Sequence, residues 1–293
     1  MPIFVVKIVV GVLAAFPLAI NHYVGALIGR IAWVTRSRLR RITEVNLALC
    51  FPEMPQPERD SLARQSLIQT GMTLTESAWI WRRPREEVAS LIRETRGAEL
   101  FEQAQKSGKG LIIASPHMGC WELCNLPVSD NGDITYLYRS PRNPAIEPLL
   151  IEWRSNLGGK PARLDAPGIR HVLRVLKQGQ LIGLLPDQEP DADNGVQAPF
   201  YGVHAHTMTL LAKLASRNNV EVLFCLAERL PKGRGWRIHF VKPEPGIADS
   251  DKMVAAAALN RTVERCIELC PSQYMWNYKR FRLQPDGTHR DYR

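Results

Sequence analysis

The sequence has few cysteines, and their spacing does not fit a zinc site or a disulfide framework. The chain has 293 residues and six cysteines. No two cysteines form a C-x2-C pair, and a chain of this length needs no disulfides to build its core. Cys120/Cys124 and Cys266/Cys270 each lie one helical turn apart, which is typical of small buried side chains on helices. We therefore predict no zinc site, no cofactor, and a reducing, cytoplasmic compartment.

Acidic residues are also in the minority. The chain has 29 Asp and Glu against 38 Lys and Arg, and its net charge is +9. Such an excess favours anionic partners, namely nucleic acid, anionic lipid or an acidic protein. Zinc-finger spacing is absent, and so is the interleaving of aromatic and basic residues that single-strand binders use. We therefore predict no nucleic-acid partner.

Long apolar runs are confined to the N-terminus. Residues 3–20 are apolar except for Lys7, and residues 23–34 are broken only by Arg30. The first run is at the short end for a bilayer span, which needs about 20 residues, and it lacks the charged start and cleavage site of a signal peptide. We expect residues 1–35 to form a membrane-anchoring or interfacial helical segment. A buried helical hairpin in a soluble protein is the alternative.

The orientation of this segment follows from the arginines at positions 36–41, directly after the apolar region. Basic residues beside an apolar segment stay in the cytoplasm, so the remaining domain, residues 36–293, is expected to face the cytoplasm.

Short apolar runs alternate with helical patterns in the rest of the chain. This alternation predicts an α/β fold with a mainly parallel sheet flanked by helices, and no further domain. The predicted strands are residues 111–114, 134–138, 181–185, 220–226 and 236–241; the predicted helices are residues 57–81, 97–105, 143–157, 167–177, 207–216 and a last one that ends before Pro271.

A histidine and a glutamate follow the first of these strands. His117 comes just after Pro116, and Glu122 follows four intervening residues later. Residues five apart on one helix do not readily touch. They can touch if His117 lies on the turn after the strand and Glu122 in the first turn of the next helix. Because α/β folds place their chemistry at the carboxyl ends of strands, we predict a general base held by a carboxylate.

Two more polar clusters follow predicted strands. Arg139 could hold a phosphate or stabilise an oxyanion, and Arg154 on the next helix could join it. Asp187 opens a run of alternating acids that does not match a calcium loop, because its glycine comes one place late and the final glutamate is missing. A magnesium site stays open there, but we prefer Asp187 as a positioning or electrostatic residue with the other acids solvated.

Near the C-terminus, aromatic and cationic residues interleave over residues 271–281. This pattern suits a membrane interface, or packing of Tyr274, Trp276 and Phe281 against the sheet.

Taken in order, these segments resemble the late acyltransferases of bacterial lipid A synthesis, the lauroyl and myristoyl transferases of lipopolysaccharide assembly. The resemblance covers nearly the whole chain. Its blocks are Asn46 to Glu53, Gly71 with Glu76, His117-x4-Glu122, Tyr138-Arg139 with Asn143-Pro144, Arg154 before Gly158, Pro186-Asp187-Gln188, Phe200-Tyr201-Gly202 with Thr207, and residues 271–281.

The resemblance implies an inner-membrane enzyme whose catalytic domain faces the cytoplasm. It would move an acyl chain from acyl-carrier protein to a hydroxyl of a hydroxyacyl chain on a phosphorylated lipid A precursor. The family's catalytic histidine and acid fall on His117 and Glu122, and its substrate-binding residues on Arg139, Arg154 and Asp187. The alternatives are a glycerophospholipid or glycolipid acyltransferase, which generally has aspartate at the place of Glu122, and a non-catalytic membrane lipid-binding protein.

Overall fold

The chain folds around a seven-stranded sheet and a two-stranded hairpin in this computed structural model, which describes residues 3–129, 134–141, 143–218 and 220–292. The strands are β1 (Ile92–Arg96), β2 (Leu111–Ala114), β3 (Ile134–Tyr138), β4 (Lys160–Arg163), β5 (Leu181–Leu184), β6 (Gly195–Phe200), β7 (Val203–Met208), β8 (Glu221–Arg229) and β9 (Trp236–Val241). The order in the large sheet is β1-β9-β8-β2-β5-β3-β4, and its neighbours are parallel except for β8 and β9. The predicted α/β fold with a mainly parallel sheet is confirmed.

Helices flank this sheet and build the N-terminal part of the chain. They are α1 (Ile3–Ala15), α2 (Leu18–Val34), α3 (Arg38–Cys50), α4 (Gln56–Arg82), α5 (Arg85–Ser90), α6 (Ala98–Lys106), α7 (Leu126–Ser129), α8 (Glu147–Ser155), α9 (Ala166–Lys177), α10 (Leu210–Asn218) and α11 (Lys252–Leu269). Short 3-10 turns include Trp121–Leu123 and Pro144–Ile146.

The central strands are buried on both faces, which explains their unbroken apolar sequences. In β2, Ile112 and Ala114 face a core that α9, α10 and α11 cover. Leu111 and Ile113 face a second core, which is covered by α6, α7 and the C-terminal half of α4. Since side chains alternate along a strand, one four-residue run supplies both cores.

The apolar N-terminal run is divided at Pro17, where the backbone leaves the helical conformation between α1 and α2. Proline lacks the amide hydrogen that a continuous helix needs. Helices α1 and α2 have 13 and 17 residues. Within the described ranges, no helix is both long enough and apolar enough to span a bilayer. The membrane-associated helix and the division at residue 35 remain predictions.

Helix α2 packs closely against α4 through glycines. A side chain on Gly71 would meet the carbonyl oxygen of Gly25 at 2.0 Å, and one on Gly29 would meet the carbonyl oxygen of Leu67 at 2.3 Å. The backbones therefore touch where the helices cross, and any larger side chain would push them apart.

The region before α10 differs from the prediction. Residues 207–216 were expected to form one helix, but Thr207 and Met208 end β7, which pairs with β6 in an antiparallel hairpin. Strands β1 and β4 at the edges of the sheet were also missed. Their sequences are mostly polar and lack the apolar run on which the strand prediction depends.

The C-terminal aromatic block is part of the core. Tyr274, Trp276 and Phe281 are buried. The side-chain amide of Asn46 on α3 donates to the carbonyl oxygens of Trp276 and Tyr278, at 2.7 and 2.6 Å. Of the two predictions for this block, packing against the sheet is the one that the structure confirms.

Candidate active site

Two functional side chains occupy equivalent positions beyond neighbouring strands. Ala114, the last residue of β2, is paired in register with Leu184, the last residue of β5. His117 and Asp187 each lie three residues farther along the chain. Parallel strands end at the same edge of the sheet, so the register brings the two residues together there.

His117 and Asp187 form a doubly hydrogen-bonded pair. The ring Nδ1 of His117 lies 2.7 Å from Oδ1 of Asp187, and the backbone amide of His117 donates to Oδ2 at 2.9 Å. Burial alone would raise the pKa of Asp187, but the charge of His117 and its ring and backbone hydrogen bonds hold that pKa below the ordinary value. The carboxylate therefore stays ionised and favours the tautomer with the proton on Nδ1. This tautomer leaves Nε2 as a proton acceptor, the arrangement of a general base.

The turn that follows His117 is fixed by backbone contacts. Gly119 adopts a φ of +55°, and a side chain there would meet the carbonyl oxygen of Ala227 at 2.1 Å. The amides of Gly119 and Cys120 donate to the carbonyls of Gln273 and Ala227, both at 2.9 Å. These amides are already engaged, so they do not provide an oxyanion hole.

Glu122 lies in the 3-10 turn after this segment, as predicted, but its hydrogen-bond partners are Arg154 and Trp81 instead of His117. The Nε of Arg154 donates to Glu122 at 2.8 Å, Nη2 of Arg154 donates to the other carboxylate oxygen, and the indole of Trp81 donates at 3.2 Å. Among the described residues, no hydrogen bond joins Glu122 to His117. The expectation that Glu122 holds the imidazole is therefore wrong, because the carboxylate that is hydrogen-bonded to the ring of His117 belongs to Asp187.

Arg154 is held in the crevice by this ion pair. Burial alone would lower its pKa, but the charge and hydrogen bonds of Glu122 raise it above the ordinary value. Both side chains line the same cavity as His117. With Nε and Nη2 bound to Glu122, Nη1 has no hydrogen bond to any described residue and is available to a ligand.

Arg139 lies at the rim of this cavity, just beyond β3. Its side chain is 60% exposed, and its guanidinium lies 3.6 Å from the exposed carboxylate of Asp191. An ion pair this exposed contributes little to stability, so Arg139 can exchange Asp191 for an anionic ligand.

The acids after Asp187 do not converge as metal ligands would. Asp191 is solvent-exposed, whereas Glu189 is buried and accepts hydrogen bonds from the Arg282 side chain and, at 3.0 Å, from the Leu283 amide. Among the described residues, no three His, Cys, Asp or Glu side chains gather as a metal site would need. The expectation that the other acids are solvated is wrong for Glu189, which anchors the loop to the C-terminal segment.

The cavity has a volume of about 560 Å³ and combines charged and apolar walls. His117, Glu122, Arg139 and Arg154 form the polar part, and Asp187 lies buried behind His117. The apolar part includes Ile113, Leu137, Leu184, Ile169, Met208 and Leu210. The structure therefore brings all five predicted site residues to one crevice or its wall.

Cys120 lies between His117 and Glu122 in the chain but does not act on the crevice. Its side chain is buried, and burial together with the nearby charge of Glu76 raises the pKa of its thiol well above the ordinary value. A thiol in such surroundings is not a nucleophile.

A buried charge network behind the turn was not predicted. The carboxylate of Glu76 on α4 accepts hydrogen bonds from Arg229 on β8 and from His22 on α2, the latter at 2.8 Å. Arg229 also donates to the carbonyl oxygen of Gly119 at 3.3 Å. An acid on a long helix beside buried residues such as Trp79 and Ile80 is the sequence signal that could have indicated this network.

Comparison with known proteins identifies the family of the chain. Residues 1–283 match the family described as "Bacterial lipid A biosynthesis acyltransferase". The chain is 28% identical over 276 residues to the "Lipid A biosynthesis lauroyltransferase" of Escherichia coli (strain K12), covering 93% of this chain and 88% of that protein. It is 26% identical over 272 residues to the "Lipid A biosynthesis palmitoleoyltransferase" of that organism, covering 92% and 88%. For the "Lipid A biosynthesis myristoyltransferase", the identity is 23% over 272 residues, covering 92% and 83%. The chain belongs to the bacterial lipid A biosynthesis acyltransferases.

Proposed function

We propose that this protein transfers a fatty acyl chain from acyl-carrier protein to a hydroxyl on a hydroxyacyl chain of a phosphorylated lipid A precursor. The observation that carries the proposal is the hydrogen-bonded pair of His117 and Asp187 in a crevice with apolar and cationic walls. An acyl chain needs the apolar wall, and a hydroxyl nucleophile needs a base.

The reaction requires activation of the hydroxyl, which is a poor nucleophile near neutral pH. Nε2 of His117 takes the hydroxyl proton as the oxygen attacks the thioester carbonyl carbon. The carbon–sulfur bond of the tetrahedral intermediate then breaks, and the imidazolium gives its proton to the departing thiolate. The products are the ester and the thiol of the carrier protein, and no acyl-enzyme forms. Asp187 keeps the ring oriented and stabilises the imidazolium.

The developing oxyanion needs a hydrogen-bond donor. The cationic side chains of the crevice suit this role better than the backbone amides. Since the amides of Gly119 and Cys120 are engaged, Nη1 of Arg154 is the donor we favour. A donor to the oxyanion is typically worth a factor of about 10² to 10³ in rate. Glu122 then acts by holding Arg154 in place, and Arg139 binds a phosphate of the acceptor.

We also propose that the enzyme works at the inner membrane with its catalytic domain in the cytoplasm. The support is a set of exposed apolar side chains on α1, on α2 and on the link between them, of the kind that marks a membrane-binding surface. They are Phe4, Ile8, Val12, Phe16, Ile20, Tyr23, Leu27, Ile31 and Val34. The net charge of +9 suits an acidic carrier protein and a phosphorylated acceptor.

The test is an acyl-transfer assay with purified protein and acyl-carrier-protein thioester. The acceptors are a lipid IVA-type precursor and, separately, lysophosphatidate, with products identified by mass spectrometry. We expect transfer to the lipid A precursor and a loss of at least about 10²-fold in kcat for His117→Ala. His171→Ala, at an exposed position on α9, is the control and keeps its activity. Transfer to lysophosphatidate alone, or an active His117→Ala variant, would contradict the proposal.

A further inference from the structure

A second cavity lies apart from the catalytic crevice and is surrounded by positive charge. Its volume is about 630 Å³, and it shares no residue with the crevice. We call it the basic cavity. Its lining residues are Arg36, Arg38, Arg41, Lys279, Arg290, Asp291 and Tyr292.

Three arginines of the basic cavity are not paired with any acid that the structure describes, whereas Lys279 lies over the ring of Tyr292 at 5.1 Å. Among the described residues, no ion pair or side-chain hydrogen bond engages Arg36, Arg38 or Arg41. Arg40, in the same stretch, pairs with Glu44 at 2.7 Å and stacks on Trp33 at 3.7 Å. The sequence therefore gives one arginine a structural role and leaves its neighbours facing the cavity.

The balance of charge there is strongly positive. Five cationic side chains line the cavity, and Asp291 is the only acid among its described lining residues. The N-terminus of α3 adds to the positive potential, because no acidic residue occupies its first turn. Mutual repulsion of these groups raises the free energy of the folded chain unless an anion joins them.

One local feature indicates that the cavity is a binding site. The Nε of Arg290 is buried and has no hydrogen-bond partner among the described residues. Buried donors are nearly always paired, so this one requires a ligand or ordered solvent.

The chemistry of the lining and its surroundings identify the ligand. Guanidinium groups match the geometry of phosphate oxygens, with which they form paired hydrogen bonds. Val34 and Leu39, which flank Arg36 and Arg38 in the chain, are exposed apolar residues, and Val34 ends the apolar face of α2. A phosphate joined to hydrocarbon fits both features, whereas a free phosphate fits only the cations.

We propose that the basic cavity binds the phosphate headgroup of an anionic bilayer lipid, at a site separate from acyl transfer. The proposal rests on the membrane association proposed above and on no step of catalysis. The lipid would fix the orientation of the protein on the membrane, with α2 in the interface and the headgroup among the arginines.

The experiment measures binding of the purified full chain to phosphatidylcholine vesicles with and without phosphatidylglycerol, by co-sedimentation. The test variant is Arg38→Gln/Arg41→Gln. The matched control is Arg170→Gln/Arg174→Gln, which removes the same charge from two exposed arginines of α9. Each cation near an anionic surface changes affinity roughly fivefold. We expect the cavity variant to lose about tenfold or more of its affinity for anionic vesicles, while its binding to neutral vesicles and the binding of the control stay within about twofold of wild type.

Several results would overturn the proposal. Equal losses in the two double variants would mean that net charge alone is responsible, and no loss in the cavity variant would mean that the cavity takes no headgroup. If inorganic phosphate, compared with chloride at constant ionic strength, raises the melting temperature of the wild type only and vesicle binding is equal, the ligand is a soluble phosphate. A wild type that binds no vesicle would also contradict the proposal. Acyl transfer in detergent, expected to be unchanged in the cavity variant, reports on the proposed function separately.

Discussion

At the scale of single residues, the catalytic arrangement depends on which strands are neighbours. His117 and Asp187 are 70 positions apart in the chain, yet each lies three residues beyond one of two strands paired in register. A histidine bound to a buried carboxylate becomes a base with a fixed tautomer. The role proposed for Asp187 therefore depends on the pairing of β2 with β5.

Glu122 and Arg154 form a second unit, for which we predict energetic coupling. Glu122→Gln and Arg154→Gln should each lower kcat/KM, because either change frees the other group from its position. In a double-mutant cycle these two changes should be coupled by about 0.5–3 kcal/mol, as expected for groups in direct contact.

The control cycle combines Glu122→Gln with Asp187→Asn, and here we expect additive effects in log kcat/KM. Strong coupling of Glu122 to Asp187, with none to Arg154, would indicate instead that Glu122 orients His117.

The residues that line the crevice could be predicted from sequence, but their hydrogen-bond partners could not. His117, Glu122, Arg139 and Arg154 all follow apolar strands or lie on the next helix, which is a local pattern. The partner of His117 depends on the order of strands in the sheet, and β3 and β4 intervene in the chain between β2 and β5. Nothing local to His117 or to Asp187 carries that information.

At the scale of elements, the crossing of α2 and α4 is set by glycines. We predict that Gly71→Ala destabilises the protein, because the new methyl group would lie 2.0 Å from the carbonyl oxygen of Gly25. Overpacking of this kind costs about 1–3 kcal/mol, so thermal unfolding followed by circular dichroism should show a melting temperature lower by several degrees.

Gly11→Ala in α1 is the matched control, since a side chain there meets nothing within 4 Å. Alanine is the better helix former, so this change should leave the melting temperature equal or slightly higher. A Gly71→Ala protein that melts at the same temperature as Gly11→Ala, or higher, would show that the α2–α4 contact does not restrict this position.

The hairpin of β6 and β7 shows why some elements escaped prediction. Its strands contain one proline, two histidines and two alanines instead of an apolar alternation, and Thr207 precedes an apolar stretch that is typical of a helix. Strand β7 is extended because β6 pairs with it and because the hydroxyl of Thr207 accepts a hydrogen bond from Arg280 at 2.9 Å. These are tertiary contacts, which override local propensity.

At the scale of the whole molecule, the N-terminal helices and the sheet are joined by one buried charge network. Glu76 connects α2, α4 and β8 through His22 and Arg229. Burial alone would raise the pKa of Glu76, but the charges and hydrogen bonds of Arg229 and His22 lower it to about 2, from an ordinary value of 4.5. The ionised carboxylate is thus favoured in the folded state.

The pH dependence of stability follows from this shift. A pKa lowered by folding contributes stability that is present above the unfolded value and lost as pH falls, here between about 4.5 and 2. We predict that Glu76→Gln lowers the free energy of unfolding by about 3–5 kcal/mol near neutral pH, since Arg229 is left as an unpaired buried charge.

Glu76→Gln should also lose less of its remaining stability than the wild type as the pH falls from about 4.5 to 2. The measurement is the free energy of unfolding at each pH. Glu102→Gln, at an exposed position on α6, should behave like the wild type in both respects. A Glu76→Gln protein with wild-type stability, or with the same acid sensitivity as the wild type, would show that the network has no such role.

The central claim is that Asp187, and not Glu122, makes His117 a base, and kcat of Asp187→Asn tests it most directly. The amide can donate to Nδ1 and so favours the tautomer whose Nε2 carries a proton and cannot accept one. With acyl-carrier-protein thioester and lipid A precursor as substrates, the account predicts a fall in kcat of about 10²- to 10⁴-fold at little-changed KM for the donor. It also predicts that adding Asp187→Asn to His117→Ala causes little further loss. A kcat within a few-fold of wild type for Asp187→Asn would contradict the account.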